Sequence, residues 1–166
     1  MGTTRVRLDT SLGSMLVELF DDTCPLTVAN FLEYVKAGFY DGTIFHRVIP
    51  GFVAQGGGMG AGLTEKPTRA PIPNEAAKAP PNLRGTLAMA RTQDPNSATS
   101  QFYINLADNR SLDYGGPGKP GYCAFGRIAE GMEVVDQIAG SKTGRKGRYD
   151  DVPLENVVLN AATVQA

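Results

Sequence analysis

Two runs hold the residues of this chain whose types and spacing could do chemistry. Phe45-His46-Arg47-Val48-Ile49-Pro50-Gly51-Phe52-Val53-Ala54-Gln55-Gly56-Gly57 sets one arginine and one glutamine among apolar residues on what should be neighbouring strands. Ser97-Ala98-Thr99-Ser100-Gln101-Phe102-Tyr103-Ile104-Asn105 has the same character about fifty residues later. Strand side chains alternate with period two, so Arg47 is expected to share a face with Phe45 and Ile49, Val53 with Gln55, and Gln101 with Tyr103. Phe102, Ile104 and Leu106 then point the other way. Taken singly, Val53 and Tyr103 would read as exterior barrel residues with polar neighbours. Jointly, two glutamines, an arginine and several large apolar groups on adjoining strands form a shallow apolar cleft with a few fixed polar groups, as ligand sites do.

Other chemistries find little support. There is one histidine, His46, no Gly-x-Ser-x-Gly elbow, and no context that marks Cys24 or Cys123 as catalytic. One His with scattered carboxylates supplies no recognisable metal shell, so neither a metal nor a cofactor is expected. Gly56-x-Gly58-x-x-Ala61 matches a dinucleotide fingerprint formally, but Pro67, Pro71 and Pro73 forbid the long helix it needs, and a flexible loop is the better reading. The cluster Lys142, Arg145, Lys146, Arg148 lies among Gly144 and Gly147 with Asp150 and Asp151 beside it; it reads as a solvated loop rather than a nucleic-acid patch.

The elements that must position the two runs follow from composition and periodicity. At 166 residues, 42% hydrophobic and 20% charged, the chain suits one compact domain over residues 1–166. Sixteen Lys+Arg against seventeen Asp+Glu leave a net charge of -1, so no global field recruits nucleic acid or an anionic membrane. No apolar stretch reaches transmembrane length, and Met1-Gly2-Thr3-Thr4-Arg5 runs into strand-like alternation without an apolar leader, so a cytoplasmic location is expected. Cys24 and Cys123 read as buried or half-buried thiols in a reducing compartment. The absence of a heptad or apolar stripe suggests a monomer.

Val6-Arg7-Leu8 and Met15-Leu16-Val17-Glu18-Leu19-Phe20 predict an opening hairpin. Thr23-Cys24-Pro25 offers a cap and an early proline, Val28, Phe31, Leu32 and Val35 recur at helical spacing, and Gly38 closes the segment. Strands are expected at 43–48, 52–56, 86–91, 101–106, 122–129 and 157–164, with a second helix around 132–138. A long Gly, Pro and Ala-rich stretch occupies 57–85. About eight strands with two helices favour a closed antiparallel β-barrel, because closure removes vulnerable edges.

Nearly end to end, the chain resembles the cyclophilin family of peptidyl-prolyl cis/trans isomerases. The likeness is carried by the opening hairpin and the Pro25–Gly38 helix, Phe45–Gly57, Asn74-Glu75, Arg84-Gly85-Thr86-Leu87-Ala88-Met89-Ala90, Ser97–Asn105, Phe125-Gly126 and Glu130-Gly131-Met132. Ser97-Ala98-Thr99-Ser100 and Gly121-Tyr122-Cys123 are most similar to bacterial cytoplasmic members. The resemblance implies a mainly β fold, an eight-stranded antiparallel barrel capped by two helices, whose outer face binds proline-containing peptides and unfolded or partly folded proteins and assists folding. Arg47 matches the catalytic arginine, grouped with Phe52 and Gln55. Phe52, Val53, Tyr103 and Leu112 match the proline-pocket walls, and Gln55 and Gln101 its polar rim. Ala90 and Arg91 match the segment that pairs with substrate backbone, and Tyr122 flanks the pocket.

Three positions depart from the family pattern. Tyr103 stands where most members have phenylalanine, Ser111 where many eukaryotic members have tryptophan, and Tyr122 where those have histidine. The Tyr103 hydroxyl is expected to find a partner, in solvent or at a rim glutamine. Lacking the tryptophan, the chain is expected to bind cyclosporin weakly. Gly115-Gly116-Pro117-Gly118-Lys119-Pro120 lengthens the loop before Tyr122. A proline-peptide-binding chaperone or scaffold with little turnover is the alternative to the enzyme.

Overall fold

The computed structural model describes residues 3–165; positions 1, 2 and 166, included above in the one-domain and N-terminal readings, lie outside the described residues. Strands β1 (Arg5–Thr10) and β2 (Gly13–Leu19) form the expected hairpin, in register from Arg5↔Glu18 to Thr10↔Gly13. Val6, Leu8, Met15, Val17 and Leu19 alternate into the core. Helix α1 (Pro25–Lys36) starts on its proline and buries Val28, Phe31, Tyr34 and Val35. Neither Thr23 nor Cys24 caps it by a side chain. Glu75 does so instead, accepting from Thr27 N at 2.7 Å and Leu26 N at 3.2 Å, a carboxylate where the helix dipole favours negative charge.

The remaining strands are β3 (Thr43–Ile44), β4 (Arg47–Ile49), β5 (Val53–Gly56), β6 (Thr86–Met89), β7 (Phe102–Asn105), β8 (Ala124–Glu130), β9 (Thr143–Lys146), β10 (Tyr149–Pro153) and β11 (Val158–Gln165). Helix α2 (Met132–Ala139) follows β8 and ends at Gly140. The nine-stranded antiparallel sheet runs β3-β11-β1-β2-β8-β6-β7-β5-β4. Its two edge strands are consecutive in the chain. The strand expected over 43–48 is interrupted at Phe45-His46: its first half pairs with β11 and its second with β5, so one broken strand forms the seam at which the curled sheet meets itself. Counted as one, it restores the expected eight.

The interruption corrects one facing assignment. Phe45 does not share a face with Arg47; its N–H donates to Val157 O at 3.0 Å and its ring turns into the core, edge-on to Phe102 at 6.2 Å. Phe31 meets Phe102 at 5.8 Å and Phe125 at 5.0 Å in the same cluster. Full burial of such a ring contributes about 1.5–3 kcal/mol, so the barrel interior holds β5 and β7 rigidly. Phe102, Ile104 and Leu106 face this interior as expected, and Val48 and Ala54 join them.

A second correction concerns residues 142–148. Instead of a loop, all but Lys142 belong to a two-stranded hairpin of β9 and β10, with Lys146 opposite Tyr149 and Gly147 in the turn at φ 58°. Its cations stay solvated: Arg145 lies 3.9 Å from Asp150, and Arg148 stacks 5.3 Å from the Tyr149 ring centroid. The stretch 57–85 holds no strand of its own but a 3-10 turn at Ala76–Lys78 and isolated antiparallel bridges Thr43↔Gly60, Met59↔Glu65 and Ile72↔Ala98. Cys24 and Cys123 are both buried and free, their sulfurs 3.4 Å apart. Among the described residues no helix is long and apolar enough to cross a membrane.

Candidate active site

Cross-strand register assembles the site. Arg47 faces Gln55, Gln55 faces Tyr103, Tyr103 faces Ala88, and Ala88 faces Ala124, one row across β4, β5, β7, β6 and β8. Cβ atoms directly opposite lie about 4.5–5.5 Å apart, so this row is a continuous surface. It lies on the barrel's outer side, since the alternate residues of the same strands fill the interior. Val53, Ala88, Tyr103 and Ala124 are nevertheless buried, forming a second small apolar cluster against which Phe52, Ala90, Leu112 and Tyr122 pack. The two alanines keep the surface low beside Tyr103.

The hollow so formed has a volume of about 170 Å³ and is lined by nine of the ten site residues expected from sequence: Arg47, Phe52, Val53, Gln55, Ala90, Arg91, Tyr103, Leu112 and Tyr122. That is below the size of a typical drug-sized ligand site and suits a single side chain. The tenth, Gln101, lines an adjoining cleft of about 180 Å³ that shares Gln55, Ala90 and Arg91 with the first. The two glutamines join across the divide: Gln55 Nε2 donates to Gln101 Oε1 at 3.0 Å.

Arg47 is exposed at the mouth, where Nη1 donates to Gln55 Oε1 at 3.4 Å. Among the described residues it forms no ion pair with a carboxylate. Its charge and most of its five donors are therefore open to a ligand. Arg91 behaves differently. Its guanidinium lies 4.2 Å from the Tyr122 ring centroid and donates to Gly121 O at 2.8 and 3.2 Å, so it buttresses Tyr122.

The lining of the hollow contains no histidine, carboxylate or thiol. Burial, and secondarily the neighbouring Tyr122 phenol, pushes the Tyr103 phenol far above its ordinary value. His46 is buried behind Arg47, and burial followed by the Arg47 charge lowers its pKa to about 4. It is neutral at physiological pH, and its Nδ1 has no partner among the described residues. Among the described residues no cluster of His, Cys, Asp and Glu could hold a metal ion.

The Tyr103 hydroxyl does find a partner, but neither solvent nor a rim glutamine: it donates to Oδ1 of the buried Asn82 at 3.0 Å, beneath the floor. Sequence reasoning passed over Asn82, which lies in the long stretch 57–85. Gly58, read from sequence only as part of a flexible loop, makes room for Gln101: a Cβ there would lie 2.4 Å from Gln101 Cγ. The glycine run 56–58 was the available signal. Ser111 is exposed, beside Leu112 in a 3-10 turn, and does not line the hollow. The loop 115–120 folds on itself, with Gly115 N donating to Lys119 O at 2.9 Å, and leaves Tyr122 in place through Tyr122 N to Leu112 O at 2.8 Å.

Comparison with known proteins supplies the family. The model described as "Cyclophilin type peptidyl-prolyl cis-trans isomerase/CLD" matches residues 5–164. Peptidyl-prolyl cis-trans isomerase B of Escherichia coli is 51% identical over 161 residues, covering 96% of this chain and 98% of that protein. Peptidyl-prolyl cis-trans isomerase cyp18 of Streptomyces antibioticus is 50% identical over 161 residues, covering 96% and 97%. A cyclophilin-type isomerase of Cryptosporidium parvum, solved in the presence of the dipeptide Ala-Pro, superposes with a TM-score of 0.79 at 26% identity, covering 98% of this chain and 99% of that one.

Proposed function

This chain belongs to the cyclophilin-type peptidyl-prolyl cis-trans isomerase family, and from that premise we propose how its hollow performs the isomerisation of X-Pro peptide bonds. The barrier to rotation, about 18–20 kcal/mol, comes from amide resonance that stiffens the C–N bond. No bond to a leaving group is broken, so neither nucleophile nor proton donor is required. The enzyme grips the proline ring, lets the preceding residue turn, and stabilises the twisted amide in which the prolyl nitrogen regains its lone pair.

Each part of that task has a candidate here. Phe52, Val53, Tyr103 and Leu112 hold the ring, and Tyr122, supported by Arg91, closes one side. Gln55, Gln101 and the Ala90-Arg91 segment meet the flanking peptide. Arg47 donates to the prolyl nitrogen. That interaction is stronger in the twisted state than in the planar one, so it lowers the barrier instead of merely tightening binding. The observation that carries this reading is an arginine with no carboxylate partner among the described residues, at the mouth of a hollow with an apolar floor and room for one side chain.

The substrates are proline-containing peptides and exposed X-Pro bonds of unfolded or partly folded proteins. We place the protein in the cytoplasm as a monomeric folding assistant, one isomerase domain over residues 1–166, with weak affinity for cyclosporin. NMR exchange spectroscopy on a short Ala-Pro peptide tests the activity. Catalytic protein should produce cis/trans exchange far faster than the uncatalysed time of roughly 10–100 s. Chemical-shift changes at Tyr103 and Arg47 without accelerated exchange would instead mark a binding scaffold.

A further inference from the structure

Beneath the floor of the hollow lies Asn82, a wholly buried amide on the segment entering β6. Its Nδ2 donates to Asp113 Oδ1 at 3.0 Å and to Tyr122 O at 3.2 Å. Its Oδ1 accepts from the Tyr103 hydroxyl at 3.0 Å and from Asn105 Nδ2 at 3.1 Å. All four bonding positions of the amide are filled. Its backbone joins in: Asn82 N donates to Asp113 Oδ1 at 2.6 Å, and Asn82 O accepts from Asn109 N at 2.8 Å.

The amide's orientation follows from chemistry. A carboxylate oxygen and a backbone carbonyl accept only, so the NH₂ group must face Asp113 and Tyr122. Oδ1 therefore faces Tyr103, and the phenol must donate to it. With its proton committed below the floor, Tyr103 offers the hollow only ring carbon. The same amide ties down two further sides of the hollow, since Asp113 directly follows Leu112, and Asn82 holds the carbonyl of Tyr122 itself. Three strands and turns remote in sequence meet at one side chain.

From this geometry we infer that Asn82 is a positioning residue for proline recognition: by accepting the Tyr103 proton and holding Asp113 and Tyr122, it keeps the floor apolar and the walls at the spacing of a proline ring. The inference rests on the reading of the hollow as the proline site. It also explains how this chain carries a tyrosine there without placing a polar group against the substrate. Asn82 touches no reacting atom and acts only through Tyr103, Leu112 and Tyr122.

The test is a set of four proteins: the parent, Asn82→Ala, Tyr103→Phe and the double variant. The readouts are the Kd of an Ala-Pro peptide by NMR titration, kcat by exchange spectroscopy, and the thermal midpoint. Asn82→Ala frees the phenol to turn into the hollow, where an unpaired hydroxyl opposes the ring. Kd is expected to rise about tenfold, with kcat at saturation falling less than threefold. Tyr103→Phe should then reverse sign with background. In the parent it removes an anchor and weakens binding about twofold; in Asn82→Ala it removes the offending hydroxyl and tightens binding at least threefold. A merely structural Asn82 would lower the thermal midpoint and give Tyr103→Phe the same effect in both backgrounds, overturning the inference, as would an unchanged Kd in Asn82→Ala. If Asn82→Ala does not fold, Tyr103→Phe in the parent decides: a gain in affinity overturns the inference, and no gain sustains it. A parent that binds the peptide without turning it over would contradict the isomerase mechanism, while the Kd comparison still reads the role of Asn82.

Discussion

Arg47 stands directly opposite Gln55 across β4 and β5, with its Nη1 3.4 Å from the glutamine's Oε1, and the other end of that amide donates to Gln101 at 3.0 Å. The first bond is long and therefore weak, the second normal. The glutamine thus orients the arginine without neutralising it. A carboxylate in its place would pair with the guanidinium and compete with the substrate for it.

This relay depends on room for Gln101. In Gly58→Ala the added Cβ would meet Gln101 at 2.4 Å from Cγ, and the clash is with a flexible side chain, so the glutamine should move and the fold should not. Loss of its bond to Gln55 is worth about 0.5–1.5 kcal/mol. KM for an Ala-Pro peptide is expected to rise roughly two- to tenfold, with the thermal midpoint nearly unchanged. Steady-state kinetics beside calorimetry checks this; a large fall in the midpoint with unchanged KM would contradict it.

His46 sets a pH dependence of stability but not of catalysis. Its pKa is about 4 in the folded protein against 6.5 in the reference state, so the unfolded chain binds more protons between those values. Stability should therefore fall as pH drops through that window, by about 3 kcal/mol in all for this one group, and be insensitive to it above. Denaturant titrations of the parent and His46→Gln should show a smaller slope in the variant below pH 6.5. Equal slopes would mean that His46 is not held neutral by burial.

Ser111 lies beside the hollow, exposed and next to Leu112, where a tryptophan would add a broad apolar wall. Aromatic anchors commonly dominate interface energy, about 2 kcal/mol or more each, roughly thirtyfold in affinity. The parent is expected to be inhibited weakly by cyclosporin, and Ser111→Trp should raise inhibition far more than it changes turnover. Titrating the drug against both proteins decides it. Strong inhibition of the parent would show that this wall is dispensable.

Much of this was legible in the chain because strand side chains alternate. Phe102 and Ile104 inside, Tyr103 outside, follow from period two alone, and nine expected residues do line one hollow. What escaped was whatever depends on contacts between distant segments. The break at Phe45-His46 turned Phe45 inward against the alternation, because the strand changes partners there from β11 to β5. Glu75 caps α1 from 48 residues away, a partnership that no local cap signal announces. The β9-β10 hairpin carries charged and glycine residues with weak β-propensity, and pairing alone makes it sheet. Asn82 was invisible for a related reason: a polar residue in a loop looks solvated until the fold buries it.

If the guanidinium of Arg47, which has no carboxylate partner among the described residues, stabilises the twisted amide, the exchange rate of a saturating Ala-Pro peptide must collapse on Arg47→Ala. Removing one preorganised donor of this kind commonly costs about 10²–10³ in kcat, so a fall of that order is expected. The thermal midpoint should stay unchanged, because Arg47 is exposed and makes one long bond. Arg47→Lys should recover little, since a single ammonium cannot reproduce the planar fork. A near-parental kcat in Arg47→Ala, with the protein folded and the peptide bound, would mean that the guanidinium does not act on the twisted amide.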